Sequence, residues 1–570
     1  MALRHMPNAA VPNALLWLPL LLAQVWAWMR RCWLLRHVPS LPADAKLTRA
    51  LLLRAASEHS SPLVRLPGEH GILVTDPTLA RRVLERGGLR DVEAYQRYGS
   101  FLGNALVLLP QSSTSSHTSE HARLRAALLP LFTASAASRT HAALVGCVDR
   151  LFRRLEEPAR RGVAAPLYRA LQHFAVDATA AAFLGQELSD AEARRLIVLL
   201  EEFLSEDEEE FAPPPACNKP WWRRWAVREP GGAAETSDTP VVPARGARLR
   251  ETFERLLDRI VAAQEAPAAA KAPCVLGALG AARGEEARGQ GYNLRAEARA
   301  QSVGLLFAGL NSAKELSSML TLLAQHPELQ QKAREEVEAL CGSCELSSQA
   351  TGRACPQGAH TTAPSAAPPA TQPRLPTFDE LWSARSLPYC SLLVFEALRL
   401  SPGIEHMRLR TAADVTLATA TRGTLLVPRG TTLIVSPSLL HRHPRFWPAP
   451  ADQPRAVLFD GAMPTFESAR LGVAADSKAG RGDGGGRADE DGGQGGGGHD
   501  GGSSFLPFSA GPKGCIASQF ALYEMRMLLV LVLRRFELHV APSGRQRVRL
   551  VDRTVPAPAA AESSHESESD

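Results

Sequence analysis

Cysteine is scarce in this chain of 570 residues: there are nine, an odd number, at positions 32, 147, 217, 274, 341, 344, 355, 390 and 515. Their spacing is not that of a disulfide framework, which excludes a stapled secreted scaffold and implies a reducing compartment for the main body. Charge of one sign is also lacking. The 64 basic and 59 acidic side chains leave a net +5, and Lys and Arg form no stripe that would follow a phosphate backbone, so nucleic acid is not an implied partner. A small-x-small cleavage site is missing near the N-terminus, which argues against a cleaved secretory signal.

What is present there is an apolar stretch. Met6 to Met29 is 24 residues without a charge, and about 20 apolar residues cross ~30 Å of hydrocarbon. Arg30, Arg31 and Arg36 follow it against Arg4 before it. By the positive-inside rule the bulk of the chain is then cytosolic, behind a single-pass anchor. Trp17, Trp26, Trp28 and Trp33 suit the membrane interfaces, and Pro39 and Pro42 make a stiff hinge that ends residues 1–43.

From about 44 to 340, apolar residues recur at three and four in segments rich in Ala, Leu, Arg and Glu, the pattern of an α-rich domain. Helices are expected at His121–Leu129, Ala142–Leu155, Leu167–Leu184, Asp190–Leu204, Arg248–Ala263, Leu294–Gln325 and Pro327–Leu340. Short strand-like runs fall at Leu63–Val74, Val415–Leu417, Thr424–Val427, Thr432–Val435 and Phe536–Val540. Residues 205–245, 342–377 and 467–503 are acidic, Pro-rich, Ala/Thr/Ser-rich or Gly-rich. They bury too little apolar surface to offset their ordering entropy and are expected to be disordered insertions, and 556–570 a disordered acidic tail.

Four groups of residues carry chemistry. Phe505 to Gly514 is a Gly- and Pro-rich loop that delivers Cys515 to the start of an apolar helix, Ile516–Leu533. A helix N-terminus lowers a thiol pKa, so Cys515 is expected to ionise readily; taken alone, such a residue is more often a buried structural cysteine. Glu396 and Arg399 are three apart, hence on one helix face, within Leu392, Leu393, Val394, Phe395, Leu398 and Leu400. That setting favours a buried pair. Gly309 lies inside the long helix, where it costs about 1 kcal/mol relative to Ala, beside Asn311 and Ser312. His121 and Arg125, four apart, face one direction. A zinc site at Cys341, Cys344, Cys355 and His360 is disfavoured by irregular spacing in a low-complexity segment.

Together these resemble a known family. Phe508, Gly511, Cys515 and Ala521 stand at the spacing of the cysteine-loop signature of cytochrome P450 enzymes, with Lys513 and Ala517 in place of its usual Arg and second Gly. Glu396 and Arg399 resemble the family's Glu-x-x-Arg pair, and Arg455 the Arg that completes that cluster. His441 to Pro450 looks like the segment between the two. Asn311 and Ser312 stand where the family carries an acidic residue and a Thr that relay protons.

The resemblance implies a mainly α helical prism with a small β region over residues 44–555, and haem b held by Cys515 as the axial ligand of the iron. Gly511 and Gly514 would let the backbone approach the macrocycle. Lys513, His121, Arg125 and Arg410 would meet its propionates, with Arg408 competing for the last role. The implied reaction is monooxygenation of a lipophilic, sterol or fatty-acid-like substrate at the endoplasmic reticulum membrane. Electrons would come from NADPH-cytochrome P450 reductase, docked near Lys513, Arg526, Arg534 and Arg535. The alternatives are a haem-thiolate isomerase or dehydratase acting on a lipid peroxide without a reductase, and a catalytically silent haem-binding membrane protein.

Overall fold

The computed structural model describes residues 61–66, 71–85, 89–90, 104–109, 120–205, 244–265, 273–283, 293–342, 374–411, 413–419, 423–443, 504–542 and 547–553, with single residues at 29, 38, 102 and 447. All but Met29 of the expected anchor, the insertion at 467–503, the tail and Arg455 lie outside these, as does most of the other two insertions. Among the described residues no helix is long and apolar enough to cross a membrane.

Helices dominate. They are α1 (Pro77–Glu85), α2 (Glu120–Leu128), α3 (Ala134–Arg160), α4 (Leu167–Thr179), α5 (Asp190–Ser205), α6 (Ala244–Gln264), α7 (Val275–Arg283), α8 (Leu294–Gln325), α9 (Pro327–Cys341), α10 (Phe378–Trp382), α11 (Pro388–Leu400) and α12 (Ser518–Arg535). Their starts have local causes. The side chains of Thr133 and Asn293 accept the amides of Ala136 and Ala296, supplying partners that the first turn cannot make for itself. Thr377 and Glu380 close a reciprocal capping box on α10. The expected helix over Leu167–Leu184 changes pitch at its end, where Ala180–Leu184 form a π turn stopped by Gly185 in the left-handed region.

The main core gathers α3, α4, α8, α11 and α12. Helix α12 is its centre: every residue from Leu522 to Arg534 is buried, as expected of a helix that is apolar nearly all round.

The small β region is a mixed five-stranded sheet in the order β1-β2-β7-β4-β3, made of β1 (Leu63–Arg65), β2 (Ile72–Val74), β3 (Leu89–Arg90), β4 (Met407–Arg410) and β7 (Thr432–Val435). Hairpins β5 (Val415–Thr419) with β6 (Gly423–Val427) and β8 (Phe536–Val540) with β9 (Val548–Asp552) complete it. The single run expected over Leu63–Val74 is two antiparallel strands, registered Leu63↔Val74. Their turn is closed by Leu66 N–H donating to Gly71 O at 2.9 Å, and Gly71 sits at φ +101° with Thr432 against it.

One sheet face, with Leu63, Ile72, Val74, Leu409, Leu433 and Val435, packs on α1 to form a second, smaller core. Leu506 and Ala510 belong to that core, whereas Phe505 belongs to the main one. The cysteine loop therefore bridges the two.

Candidate functional site

The loop folds on its own backbone. Cys515 N–H donates to Phe508 O at 2.9 Å and Gly514 N–H to Gly511 O at 2.9 Å, around a 3-10 turn at Gly511–Lys513. Gly511, at φ +68°, lies where a Cβ would come 2.5 Å from Leu84 O and 2.7 Å from Glu85 Cα. Its missing side chain thus answers the close approach of α1, a correction to the expectation that it clears room for a macrocycle. A Cβ on Gly514 would meet Gly511 O at 3.1 Å, again within the loop.

The Cys515 thiol carries accessible surface, yet protein packs round it so closely that burial pushes its pKa up to about 11. The Ala517 amide and the Arg125 charge pull the other way, and the charge of Glu315 adds to the rise. The expectation of a readily ionised thiol is corrected here. Helix α12 begins only at Ser518, so Cys515 lies outside the first turn and burial outweighs the helix terminus.

Two of the expected cations meet the loop. Arg125 Nη1 donates to Gly514 O at 2.8 Å, and burial lowers its pKa while the Cys515 charge raises it. Lys513 Nζ donates to Leu109 O. Leu109 ends a segment held on α8, where Leu106 N–H donates to Gln301 Oε1 at 2.8 Å and Gln301 Nε2 to Asn104 O at 2.9 Å. His121 is buried on α2. Arg410 and Arg408 are half-buried on β4, two apart and so on one sheet face, and Arg408 Nε is a buried donor without a hydrogen-bond partner.

Glu396 and Arg399 form the buried pair expected, each 1% exposed, with Nε–Oε2 at 2.8 Å and Nη2–Oε1 at 2.6 Å. Arg399 Nη1 also donates to His441 O at 3.0 Å, and Leu506 N–H donates to His441 Nε2 at 2.9 Å. The pair is thereby tied through one histidine to the start of the cysteine loop. Arg442 donates to the carbonyls of Arg399 and Leu400, and Trp447 lies 4.9 Å from the Arg399 guanidinium.

On α8, a Cβ at Gly309 would strike Thr179 of α4. The glycine is a packing residue between two helices, and a groove beside an iron is not what requires it. Ala308, its neighbour, is exposed in the middle of this long helix, and Asn311 and Ser312 are half-buried. Sequence reasoning missed two acids here. Glu524 of α12 is 4% exposed and has a side-chain hydrogen bond with Ser312. Glu315 accepts the Gly403 N–H. Burial raises both carboxyls, Glu524 to about 8 with the charge of Glu315 adding to it, and Glu315 to about 7. The available signal was a lone carboxylate inside an otherwise apolar run, Phe520–Leu533.

Comparison with known proteins finds one family along parts of the chain. The cytochrome P450 family model matches residues 498–555, across the cysteine loop and α12. The chain is 31% identical to cytochrome P450 714D1 of Oryza sativa subsp. japonica over 242 residues, 42% of this chain and 31% of that protein. It is 28% identical to cytochrome P450 3A29 of Sus scrofa over 238 residues, 42% of this chain and 33% of that one. It is 27% identical to taurochenodeoxycholic 6 alpha-hydroxylase of Sus scrofa over 248 residues, 43% and 35% of the two. Over these segments the chain is similar to cytochrome P450 proteins. The alignments span about a third of the length of these relatives.

Cytochrome P450 proteins bind haem b through a cysteine thiolate, and the residues here fit that group. Cys515, with the Arg125 guanidinium on the loop carbonyl beside it, is the residue that would hold the iron of that group. Coordination deprotonates a thiol outright, which overcomes the burial that keeps Cys515 protonated otherwise. The zinc alternative gains nothing: Cys341 is buried, and Cys344, Cys355 and His360 lie outside the described residues.

The expected docking face is corrected. Arg526 is 2% exposed and donates to Leu381 O and Trp382 O, each at 2.8 Å. Arg534 is buried and donates to Arg374 O. Both guanidiniums hold α12 to the α10 region and leave no charge to offer a partner. Arg535 pairs with Glu156 at 2.6 Å.

Proposed function

We propose that this chain is a haem-thiolate monooxygenase that inserts one oxygen atom from O2 into a lipophilic, sterol or fatty-acid-like substrate, using electrons from NADPH passed by a membrane-bound diflavin reductase. The observation that carries this reading is Cys515, the one exposed thiol among the described cysteines, on a loop whose flanking residues belong to two separate hydrophobic clusters. Haem bound there supplies the oxygen and electron chemistry. The protein's own residues do the rest.

Cys515 would hold the iron. Arg125 and Lys513, on the carbonyls of Gly514 and Leu109, would supply cations for the propionates, as would Arg410 or Arg408. The Glu396–Arg399–His441 chain keeps the loop at a set distance from α11. Ser312 on α8 would offer a hydroxyl able to donate and accept. The lipid substrate class is supported by a relative named as a taurochenodeoxycholic hydroxylase and by the apolar N-terminal stretch, read as a single-pass anchor in the endoplasmic reticulum membrane ahead of one domain over 44–555.

The test is the difference spectrum of the reduced, carbon monoxide-bound protein. A red-shifted Soret band that disappears in Cys515→Ser is the expected result, and the same band in both proteins overturns the assignment. NADPH and oxygen consumed in step with product, in the presence of reductase, separates monooxygenation from isomerase or dehydratase chemistry and from a silent haem protein.

A further inference from the structure

Four rings from three helices close on one another. Helix α10 carries Phe378 and Trp382, four apart and stacked with centroids at 5.3 Å. Tyr523 of α12 packs on both, at 5.3 and 5.7 Å, and His141 of α3 lies 6.0 Å from Phe378. The box is fixed from outside. Arg526, one turn after Tyr523, donates to Leu381 O and Trp382 O at 2.8 Å each, and the capping box of Thr377 and Glu380 holds the other end of α10.

One polar contact lies inside it. Tyr523 is 0% exposed, and its hydroxyl meets His141 Nδ1 at 2.6 Å. A buried phenol needs an acceptor for its proton, and a neutral imidazole offers one; burial lowers the His141 pKa and so keeps that ring neutral. An electron taken from a phenol in such a place leaves a cation that apolar surroundings cannot solvate. A base within hydrogen-bond reach removes the difficulty by taking the proton at the same moment. Trp382, the other easily oxidised ring of the box, is half-buried and so reaches the surface.

Tyr523 is also close in the chain to the thiol. It follows Ser518, the first residue of α12, by five helical residues, and Cys515 lies three residues before Ser518. The two Cα atoms are therefore no more than about 19 Å apart, at about 1.5 Å per helical residue and about 3.6 Å for each of the others.

We propose that Tyr523 and His141 form a proton-coupled electron donor to an oxidised haem at Cys515, and that Trp382 refills the donor from the protein surface. Tyr523 gives one electron to the haem, which is reduced by one electron, and the Tyr523 O–H bond breaks as its proton passes to His141 Nδ1. A neutral phenoxyl and an imidazolium result. One electron from the Trp382 indole and the returning proton restore the tyrosine, and a thiol or ascorbate in solution, itself oxidised by one electron, restores the indole. An oxidant left without substrate is thereby discharged at the surface and not on the Cys515 sulfur. The oxidant rests on the haem-thiolate reading; the donor pair does not.

The test is electron paramagnetic resonance of the full-length protein, freeze-quenched after oxidation by two routes: a peracid, which acts through bound haem, and a photo-oxidised ruthenium polypyridyl complex, which does not need it. A neutral tyrosyl radical is expected by both, with its yield severalfold lower in Tyr523→Phe, which keeps the ring and loses only the hydroxyl. His141→Gln retains a hydrogen-bond acceptor but no base, and should lower the yield to a similar extent. Formation should slow severalfold in D2O. Trp382→Phe should lengthen the radical's lifetime severalfold in the presence of ascorbate. No radical by either route, an undiminished yield in Tyr523→Phe or His141→Gln, or equal rates in H2O and D2O overturns the pair, as it would if the four rings were packing alone. An unchanged lifetime in Trp382→Phe overturns the refilling step. Radical by the ruthenium route but none by the peracid route overturns the link to Cys515 where the protein shows the red-shifted carbon monoxide band; where that band is missing, it points to failure of the haem-thiolate reading with the pair intact.

Discussion

Arg399 and Glu396 meet through two parallel hydrogen bonds, 2.8 and 2.6 Å long, inside an apolar helix where each is 1% exposed. Removing one member leaves the other charge buried without a partner, at a cost of about 3–5 kcal/mol. Arg399→Ala is therefore expected to lower the unfolding free energy read from urea denaturation by that amount. Glu396→Gln with Arg399→Met, which removes both charges, should cost less, and equal losses in the two would contradict a desolvated pair.

The glycine at 511 has no room for change. With φ at +68° and Leu84 O 2.5 Å from the Cβ position, Gly511→Ala is expected to destabilise by more than about 1 kcal/mol. It should also displace Cys515 from its ligating position. A thermal melt reads the first effect, and the amplitude of the carbon monoxide band per mole of protein reads the second. Gly162→Ala is the control for the left-handed conformation alone, since position 162 has φ +61° and nothing within 4 Å.

Glu524 makes stability fall toward alkaline pH. Burial raises its folded pKa to about 8, above an unfolded value of about 4.3. The unfolded chain then carries fewer protons than the native one between those values, so stability is full below about pH 4.3 and declines as pH rises to about 8. The slope approaches about 1.4 kcal/mol per pH unit. Urea midpoints of wild type and Glu524→Gln across this range should diverge, with the flatter profile in the variant.

His441 acts in the opposite direction. Burial, helped by the Arg399 charge, holds its pKa down to about 3, against about 6.5 unfolded. Unfolding therefore takes up a proton below about pH 6.5, and the stability that a neutral His441 contributes is lost as pH falls toward 3. The difference between wild type and His441→Asn should shrink over that interval. A constant difference would show that the ring titrates normally.

Much of the helical frame is legible in the residues. Leu294–Gln325 runs over the expected limits because an Asn cap and a following His-Pro bracket one unbroken apolar pattern, and Thr432–Val435 and Phe536–Val540 are likewise where short β-rich runs predict them. Strand β4 hides in Met407–Arg410 because two arginines mask its alternation, and β9 is defined only by pairing with β8. Local sequence carries no record of such partners.

At the site, the Glu396–Arg399 pair is readable because its apolar neighbours announce burial. The acidity of Cys515 is not, since it depends on how much protein closes over the thiol. The roles of Gly309 and Gly511 belong to Thr179 and Leu84, residues more than a hundred positions away. Glu315 gives no sign by itself: its meaning comes from Gly403 and Glu524, which only the fold brings near.

The wedge between Gly511 and the end of α1 has an evolutionary corollary. The stretch that matches the family model, residues 498–555, holds the proposed ligand cysteine but not the surface that seats its loop at Gly511, because that surface is built from Leu84 and Glu85. A shortened gene product or a transplanted tail bearing only this signature would inherit the hallmark without the cradle. Selection on the iron ligand must therefore act on both ends of the polypeptide at once.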